Sequence, residues 1–231
     1  MGRKNPFHLL RDLFDFLGEN RFTLLLVSLL LTIGLGEVLA EFRMSWGLEI
    51  LILINLILLL SVFLRQGHFR AGFILFALSL ISRGLAAATG LRFLNPGSET
   101  CAAALLILGT VTCFQSAFGS GRKVDRERIS ASLSLYLMFG LIFALLFALV
   151  DKLLPGSFQY PSSLANDPSA KPLTQLIYFS YVTLATLGYG DIVPLSGPAK
   201  GLAILEAIIG QLYLVLVVAR LVSLYSQSDS D

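Results

Sequence analysis

Residues 186–191 read TLGYGD, with Thr186 at the start and Gly188 and Gly190 at alternate positions. A potassium ion that has lost its water shell needs a cage of oxygen ligands, and consecutive backbone carbonyls supply one only if they all point towards one axis. That arrangement requires alternating backbone conformations, some with φ > 0, which glycine adopts readily and other residues adopt at a cost. The segment therefore has the residue types to bind bare cations through backbone oxygens, and the Thr186 hydroxyl would add a ligand at one end.

The stretch before this motif predicts a short helix. Pro172 can open a helix at its first position. Residues 173–184 follow as twelve mostly apolar, aromatic-rich positions. A helix of that length rises ~18 Å, whereas the hydrocarbon core of a membrane is ~30 Å thick. A short helix followed by non-helical backbone is typical of a re-entrant loop, which is tolerated at membrane depth only where protein or a water-filled cavity covers it.

The whole chain has the composition of an integral membrane protein. Of its 231 residues, 55% are hydrophobic and 14% are charged, whereas soluble domains carry about 25% charged residues. The net charge of +2 is too small to indicate nucleic-acid binding. Apolar runs near the ~20-residue length of a spanning helix predict six membrane spans. These spans are residues 22–40, 46–64, 71–90, 100–118, 130–151 and 198–224.

The distribution of basic residues predicts the side of the membrane on which the termini lie. With the N-terminus inside, ten Lys and Arg residues fall on the inner side and five on the outer side, so both termini are expected in the cytoplasm. Leu10, Leu13, Phe14 and Leu17 share one helical stripe, which predicts an amphipathic helix at the membrane surface; the alternative is a disordered tail. The short linkers and the short tail favour a prokaryotic plasma membrane.

On these residues the sequence resembles the tetrameric potassium channels, in the branch with six spans and a pore loop before the last. The filter signature of that family is Thr-Val-Gly-Tyr-Gly-Asp after a pore helix, and the likeness is close from Tyr178 to Pro194. It implies an all-α integral membrane homotetramer whose other partners are lipids and K⁺, with no cofactor beyond the ions in the pore. The implied selectivity filter is Thr186, Leu187, Gly188, Tyr189 and Gly190, and the implied K⁺ ligands are its first four residues.

The resemblance also implies roles for residues around this filter. Tyr178 and Phe179 fall where the family has an aromatic cuff that buttresses the filter. Thr183 and Thr186 match two threonines that the family has at and just before the filter, and Asp191 matches the aspartate at the outer mouth. Gly210 lies where many members have a hinge glycine in the inner helix; the alternative is close helix packing by a small residue.

The sequence departs from the family pattern at three points. Leu187 replaces the usual valine, which changes the packing behind the filter. Val182 stands where some members have a glutamate that bonds the filter aspartate. The fourth span, residues 100–118, carries no basic residue. Because a gating charge gains ~2.3 kcal/mol per 100 mV, its absence leaves steep voltage gating without a carrier.

These features predict a division of the chain into five segments. They are an amphipathic N-terminal helix (1–20), a four-helix voltage-sensor-like domain without a basic fourth helix (21–118), a cytoplasmic linker (119–129), a pore domain (130–224) and a cytoplasmic tail (225–231). Within the four-helix domain, Glu37, Glu49 and Arg83 all fall in the outer half of the membrane. Since ionisable groups in lipid are usually paired, we predict that Arg83 pairs with Glu49 or Glu37, either as a static pair or as a residual voltage- or pH-responsive element. Asn55 is expected to hydrogen-bond between helices.

Other functions remain open to different degrees. Weakly selective cation channels tend to lose the filter tyrosine, and Tyr189 is present. A transporter with four pore-like loops is disfavoured by the single loop, and a membrane enzyme by the lack of Gly-x-Ser-x-Gly, His-Glu-x-x-His and paired intramembrane aspartates. A regulatory, non-conducting subunit is compatible with the sequence. The opening stimulus is equally open between lipid, tension, pH, a cytoplasmic ion and a partner protein.

Overall fold

The computed structural model describes residues 20–42, 45–63, 69–89, 95–119, 126–161 and 172–228. These residues form seven helices and one two-stranded ribbon. The helices are α1 (Arg21–Glu41), α2 (Ser45–Phe63), α3 (Phe69–Thr89), α4 (Asn95–Phe118), α5 (Arg126–Leu153), α6 (Pro172–Leu184) and α7 (Gly197–Ser228). The strands are β1 (Phe158–Gln159) and β2 (Val193–Pro194). The chain divides into two compact units, Met1–Leu135 and Tyr136–Asp231.

A helix occupies each of the six predicted spans, and α6 begins at Pro172 as expected. Within the described residues, α5 and residues 197–219 of α7 are long and apolar enough to cross a membrane. The described apolar runs of α1 to α4 are shorter, so membrane crossing by these helices stays a prediction. The predicted surface helix at the N-terminus lies outside the described residues.

The start of α5 differs from the prediction. The helix begins at Arg126, so the last part of the predicted linker 119–129 is helical. In the first unit, the Glu127 carboxylate accepts bonds from the backbone N–H groups of Phe22 (2.9 Å) and Thr23 (3.3 Å) and from the Thr23 hydroxyl (2.6 Å). Arg128 Nε donates to the Ala117 carbonyl at 2.9 Å. The first turn of α5 therefore satisfies amides that α1 leaves open and a carbonyl near the end of α4.

In the first unit, α1 packs on α2 and α3 packs on α4, while α2 also contacts α3 and α4. Asn55 of α2 connects to α1 on both ends of its amide. Its Oδ1 accepts from the Ser28 hydroxyl at 2.8 Å, and its Nδ2 donates to Thr32 Oγ1 at 2.6 Å. The predicted interhelical hydrogen bond of Asn55 is confirmed.

The second unit has an aromatic core behind the segment that follows α6. The Phe147 ring meets the Phe158 and Phe179 rings edge to face, with centroids 5.6 and 5.0 Å apart. Strand β1 pairs antiparallel with β2, Phe158 opposite Pro194 and Gln159 opposite Val193. This ribbon, absent from the all-α prediction, ties the chain after α5 to the chain that leaves the TLGYGD segment.

Candidate functional site

The candidate site is the loop 185–191, which leaves the C-terminal end of α6. Thr186 N–H donates to the Thr183 carbonyl and Leu187 N–H to the Val182 carbonyl, both at 2.9 Å. Thr186 has a φ of 57°. This is the Schellman arrangement, in which a left-handed residue lets loop amides satisfy the last carbonyls of a helix. The loop therefore begins with a defined geometry that its own backbone hydrogen bonds hold.

The backbone conformation alternates along the loop. Thr186, Gly188 and Gly190 have φ of 57°, 60° and 77°. Among the described residues, Thr186 is the one non-glycine with positive φ, so Leu187 and Tyr189 lie outside that region. The positive φ expected at both glycines is confirmed. A Cβ added to either glycine would meet no heavy atom within 4 Å, so backbone conformation rather than packing in the protomer requires glycine there.

The side chains on either side of Gly188 are open in the single protomer. Leu187 is 56% exposed and Tyr189 is 66% exposed. The protomer itself therefore covers less than half of the surface of either side chain.

Asp191 is held at the end of the loop by a residue on α6. The Tyr178 hydroxyl donates to Asp191 Oδ2 at 2.7 Å, and Asp191 Oδ1 accepts from the N–H of Ile192 at 3.0 Å. The Val182 side chain has no polar atom and cannot bind Asp191. Its backbone carbonyl instead accepts the hydrogen bond from Leu187 N–H. The sequence identified the missing glutamate at Val182 but gave no sign that Tyr178 would bind the aspartate instead.

The two residues predicted as an aromatic cuff separate in the structure. Tyr178 faces Asp191, whereas Phe179 is buried and packs edge to face on Phe147 and Phe158. Phe179 thus belongs to the core that backs the loop, together with Leu176 and Ile192. Tyr178 therefore binds the end of the loop at Asp191, and Phe179 packs in the core behind the loop.

The inner helix α7 touches both α6 and the loop. A Cβ on Gly210 would lie 2.7 Å from the Leu184 carbonyl oxygen and 2.9 Å from Leu184 Cδ1. Glycine is therefore required for close packing of α7 on the end of α6, which supports the packing alternative; a hinge at Gly210 stays a prediction. The next residue, Gln211, donates from Nε2 to Thr186 Oγ1 at 3.3 Å.

Sequence reasoning missed one ionisable residue of this unit. Glu206 is fully buried in α7, and its Oε1 lies within hydrogen-bond distance of Ser180 Oγ on α6. A carboxyl group inside a predicted membrane span was the available signal. By contrast, the side chains of Glu37, Glu49 and Arg83 lie outside the described ones, so their ion pair stays a prediction.

Comparison with known proteins adds to this geometry. Residues 131–227 match the family described as ion channel. The match covers less than half of the 231 residues, from α5 through the loop to α7. No curated protein and no solved structure matches the chain.

The ion-channel match falls on the unit that carries the loop. It supports ion-channel function and a membrane location, and the family is not one of enzymes. It does not reach α1 to α4.

Proposed function

We propose that four copies of this chain form a potassium-selective channel whose filter is residues 186–190. The alternation of φ at Thr186, Gly188 and Gly190 carries the proposal. Backbone that alternates between left- and right-handed conformations can turn successive carbonyls to one side of a loop. Four such loops around an axis would give stacked oxygen rings in place of the water shell of K⁺. The ligands would be the carbonyls of residues 186–189, with the Thr186 hydroxyl at the inner end.

Electrostatics favour a cation along this path. The C-terminal end of α6 carries partial negative charge and leads directly into the loop. Asp191 adds a carboxylate at the other end, where Tyr178 holds it. Ions would move passively down their electrochemical gradient, by mutual repulsion between adjacent sites.

The exposed surface of α7 supports assembly. Glu206, Gly210, Tyr213 and Val217 form the buried face of this helix within the protomer. Its other faces expose large apolar side chains, at Ile204, Leu205, Ile208, Leu212, Val215 and Leu216. Lipid or further copies of the chain would cover them, and one loop alone supplies only one edge of an oxygen ring. We infer a homotetramer in the plasma membrane with both termini in the cytoplasm.

Ion flux into liposomes tests the proposal. Liposomes that contain the purified protein should take up K⁺ in preference to Na⁺, and Ba²⁺ should block this uptake. Gly190→Ala should abolish selective uptake, because a Cβ at φ 77° is strained by roughly 1–3 kcal/mol. Gly201→Ala is the matched control, since no heavy atom lies within 4 Å of a Cβ there and its φ is ordinary, and it should retain uptake.

The other outcomes discriminate between the alternatives. Equal uptake of Na⁺ and K⁺ would indicate a weakly selective cation channel. An assembled tetramer without uptake of either ion would indicate a regulatory, non-conducting subunit. A protein that stays monomeric in the membrane would contradict the proposal.

A further inference from the structure

The most unusual polar group in the second unit is the carboxyl of Glu206. The side chain has no exposed surface, although it lies in the middle of an apolar helix. Its Oε1 contacts Ser180 Oγ of α6, and its Oε2 is buried with no hydrogen-bond partner among the described residues. A carboxyl group in such a place is expensive if charged, because neither water nor a donor compensates the buried oxygen.

The hydrogen bonds available at Ser180 favour a neutral carboxyl group on Glu206. Ser180 Oγ lies 2.6 Å from the carbonyl oxygen of Gly140 on α5, and this oxygen can only accept. A hydroxyl carries one proton. If Glu206 were ionised, Ser180 would have to share its one proton between two pure acceptors, and the charged Oε2 would remain buried without a donor. If Glu206 is a carboxylic acid, it donates to Ser180 Oγ, Ser180 donates to Gly140, and both contacts are hydrogen bonds.

The titratable groups that face Glu206 do not offset a negative charge. Among the residues that the structure describes, its electrostatic neighbours are the phenols of Tyr136 on α5 and Tyr181 on α6. Both hydroxyl protons are used elsewhere: Tyr136 donates to the Leu184 carbonyl at 3.2 Å, and Tyr181 to the Leu137 carbonyl at 2.7 Å. Neither phenol brings a positive charge or a free proton to the carboxyl.

We propose that Glu206 is a neutral carboxylic acid whose proton joins the inner helix α7 to Ser180 of α6, which makes it a positioning residue behind the candidate filter. The bond lies one helical turn before Gly210, where α7 touches the Leu184 carbonyl. Loss of the proton removes the donor and leaves a charge against Ser180 and two phenols. Ionisation at high pH therefore separates α7 from α6 and disturbs the loop that α6 ends in.

Infrared absorption of the full-length protein in liposomes tests the protonation directly. A carboxylic acid and a carboxylate absorb at different carbonyl frequencies. We expect a protonated-carboxyl band at neutral pH that disappears in Glu206→Gln and persists in Asp151→Asn, a control at the far end of α5. A spectrum in which Glu206→Gln removes no such band overturns the proposal, whether or not the protein conducts.

The effect on helix position rests on the proposed function and is read by K⁺ flux against pH. Glu206→Gln keeps a neutral donor, so it should assemble, retain flux and stay active when the pH rises from about 7 to about 10. The wild type should lose most of its flux over that range, and Ser180→Ala should be impaired at every pH. If Glu206→Gln fails to assemble, or has the same pH profile as the wild type, the proposal fails. Absence of flux in the wild type would refute the channel function alone, because the infrared band still reports on Glu206.

Discussion

Thr186 occupies the left-handed position that glycine usually takes at the end of a helix. A non-glycine residue there costs of order 1–3 kcal/mol. Two backbone hydrogen bonds to Thr183 and Val182 hold the turn, and Gln211 binds the Thr186 hydroxyl at 3.3 Å. Glycine would relieve the strain but would lack the hydroxyl. The choice of threonine is thus explained by its side-chain oxygen, which the proposed channel uses at the inner end of the filter.

The Tyr178–Asp191 bond gives a prediction at the same scale. Tyr178→Phe removes the hydroxyl that donates to Asp191 Oδ2 at 2.7 Å. The bond is solvent-exposed, so we expect a modest loss of stability, about 1 kcal/mol, with a larger effect on the order of the outer mouth. K⁺ flux should decline faster during sustained uptake than it does in the wild type. The measurement is flux over time in liposomes.

Tyr160→Phe is the matched control for this prediction. Tyr160 also donates to a carboxylate, Asp151 Oδ2, at 3.1 Å. Burial and the Asp151 charge raise the pKa of Tyr160 above its usual value. Tyr160→Phe also removes a hydroxyl that binds a carboxylate, but this carboxylate belongs to α5 and not to the loop, so the time course of flux should not change. Equal decline in both variants would contradict a specific role for Tyr178.

At the scale of elements, glycines set the distances between the helices of the second unit. A Cβ on Gly140 of α5 would lie 2.5 Å from the Tyr181 ring, and one on Gly210 of α7 would lie 2.7 Å from the Leu184 carbonyl oxygen. Both neighbours belong to α6. Helix α6 therefore packs against a glycine of α5 and a glycine of α7. A Cβ at either glycine would displace the C-terminal part of α6.

Gly210→Ala and Gly201→Ala should change stability in opposite directions. Alanine favours a helix over glycine by up to about 1 kcal/mol, so Gly201→Ala, which meets no heavy atom within 4 Å, should be neutral or stabilising. Gly210→Ala should destabilise by about 1–3 kcal/mol, because backbone must move to admit the methyl group. Thermal unfolding of both purified variants measures the difference. Equal unfolding temperatures would contradict the close contact with Leu184.

At the scale of the whole molecule, four helices precede the unit that carries the loop. The fourth, α4, has no Lys or Arg between Asn95 and Phe118. The one charged residue of this helix is Glu99, near its start, so the helix has no repeated basic residues on which the membrane field could act. We therefore assign α1 to α4 no conventional voltage-sensing role in the proposed channel.

Single-channel recording in planar bilayers measures how the open probability of the assembled protein depends on voltage. Open probability should depend weakly on voltage, with an effective gating charge below about one elementary charge. Arg83→Gln should leave that dependence unchanged if its predicted pairing is static. A steep dependence in the wild type would contradict the prediction, and its loss in Arg83→Gln would make Arg83 the responsive element.

The sequence by itself determined the features that depend on neighbours along the chain. Apolar runs of spanning length gave the helices of all six predicted spans, and Pro172 marked the start of α6. The alternate glycines gave the positive φ at Gly188 and Gly190, since that preference belongs to the residue itself.

Only the tertiary structure decided which distant polar groups meet. Tyr178 binds Asp191 across 13 residues, Ser180 contacts Glu206 across 26, and Glu127 caps α1 across 105. Apolar periodicity shows that a helix is buried but not which turn of another helix lies against it. A polar side chain on that face meets its partner only when packing brings the two turns together. For that reason the contact between Glu206 and Ser180 could not be predicted from the sequence.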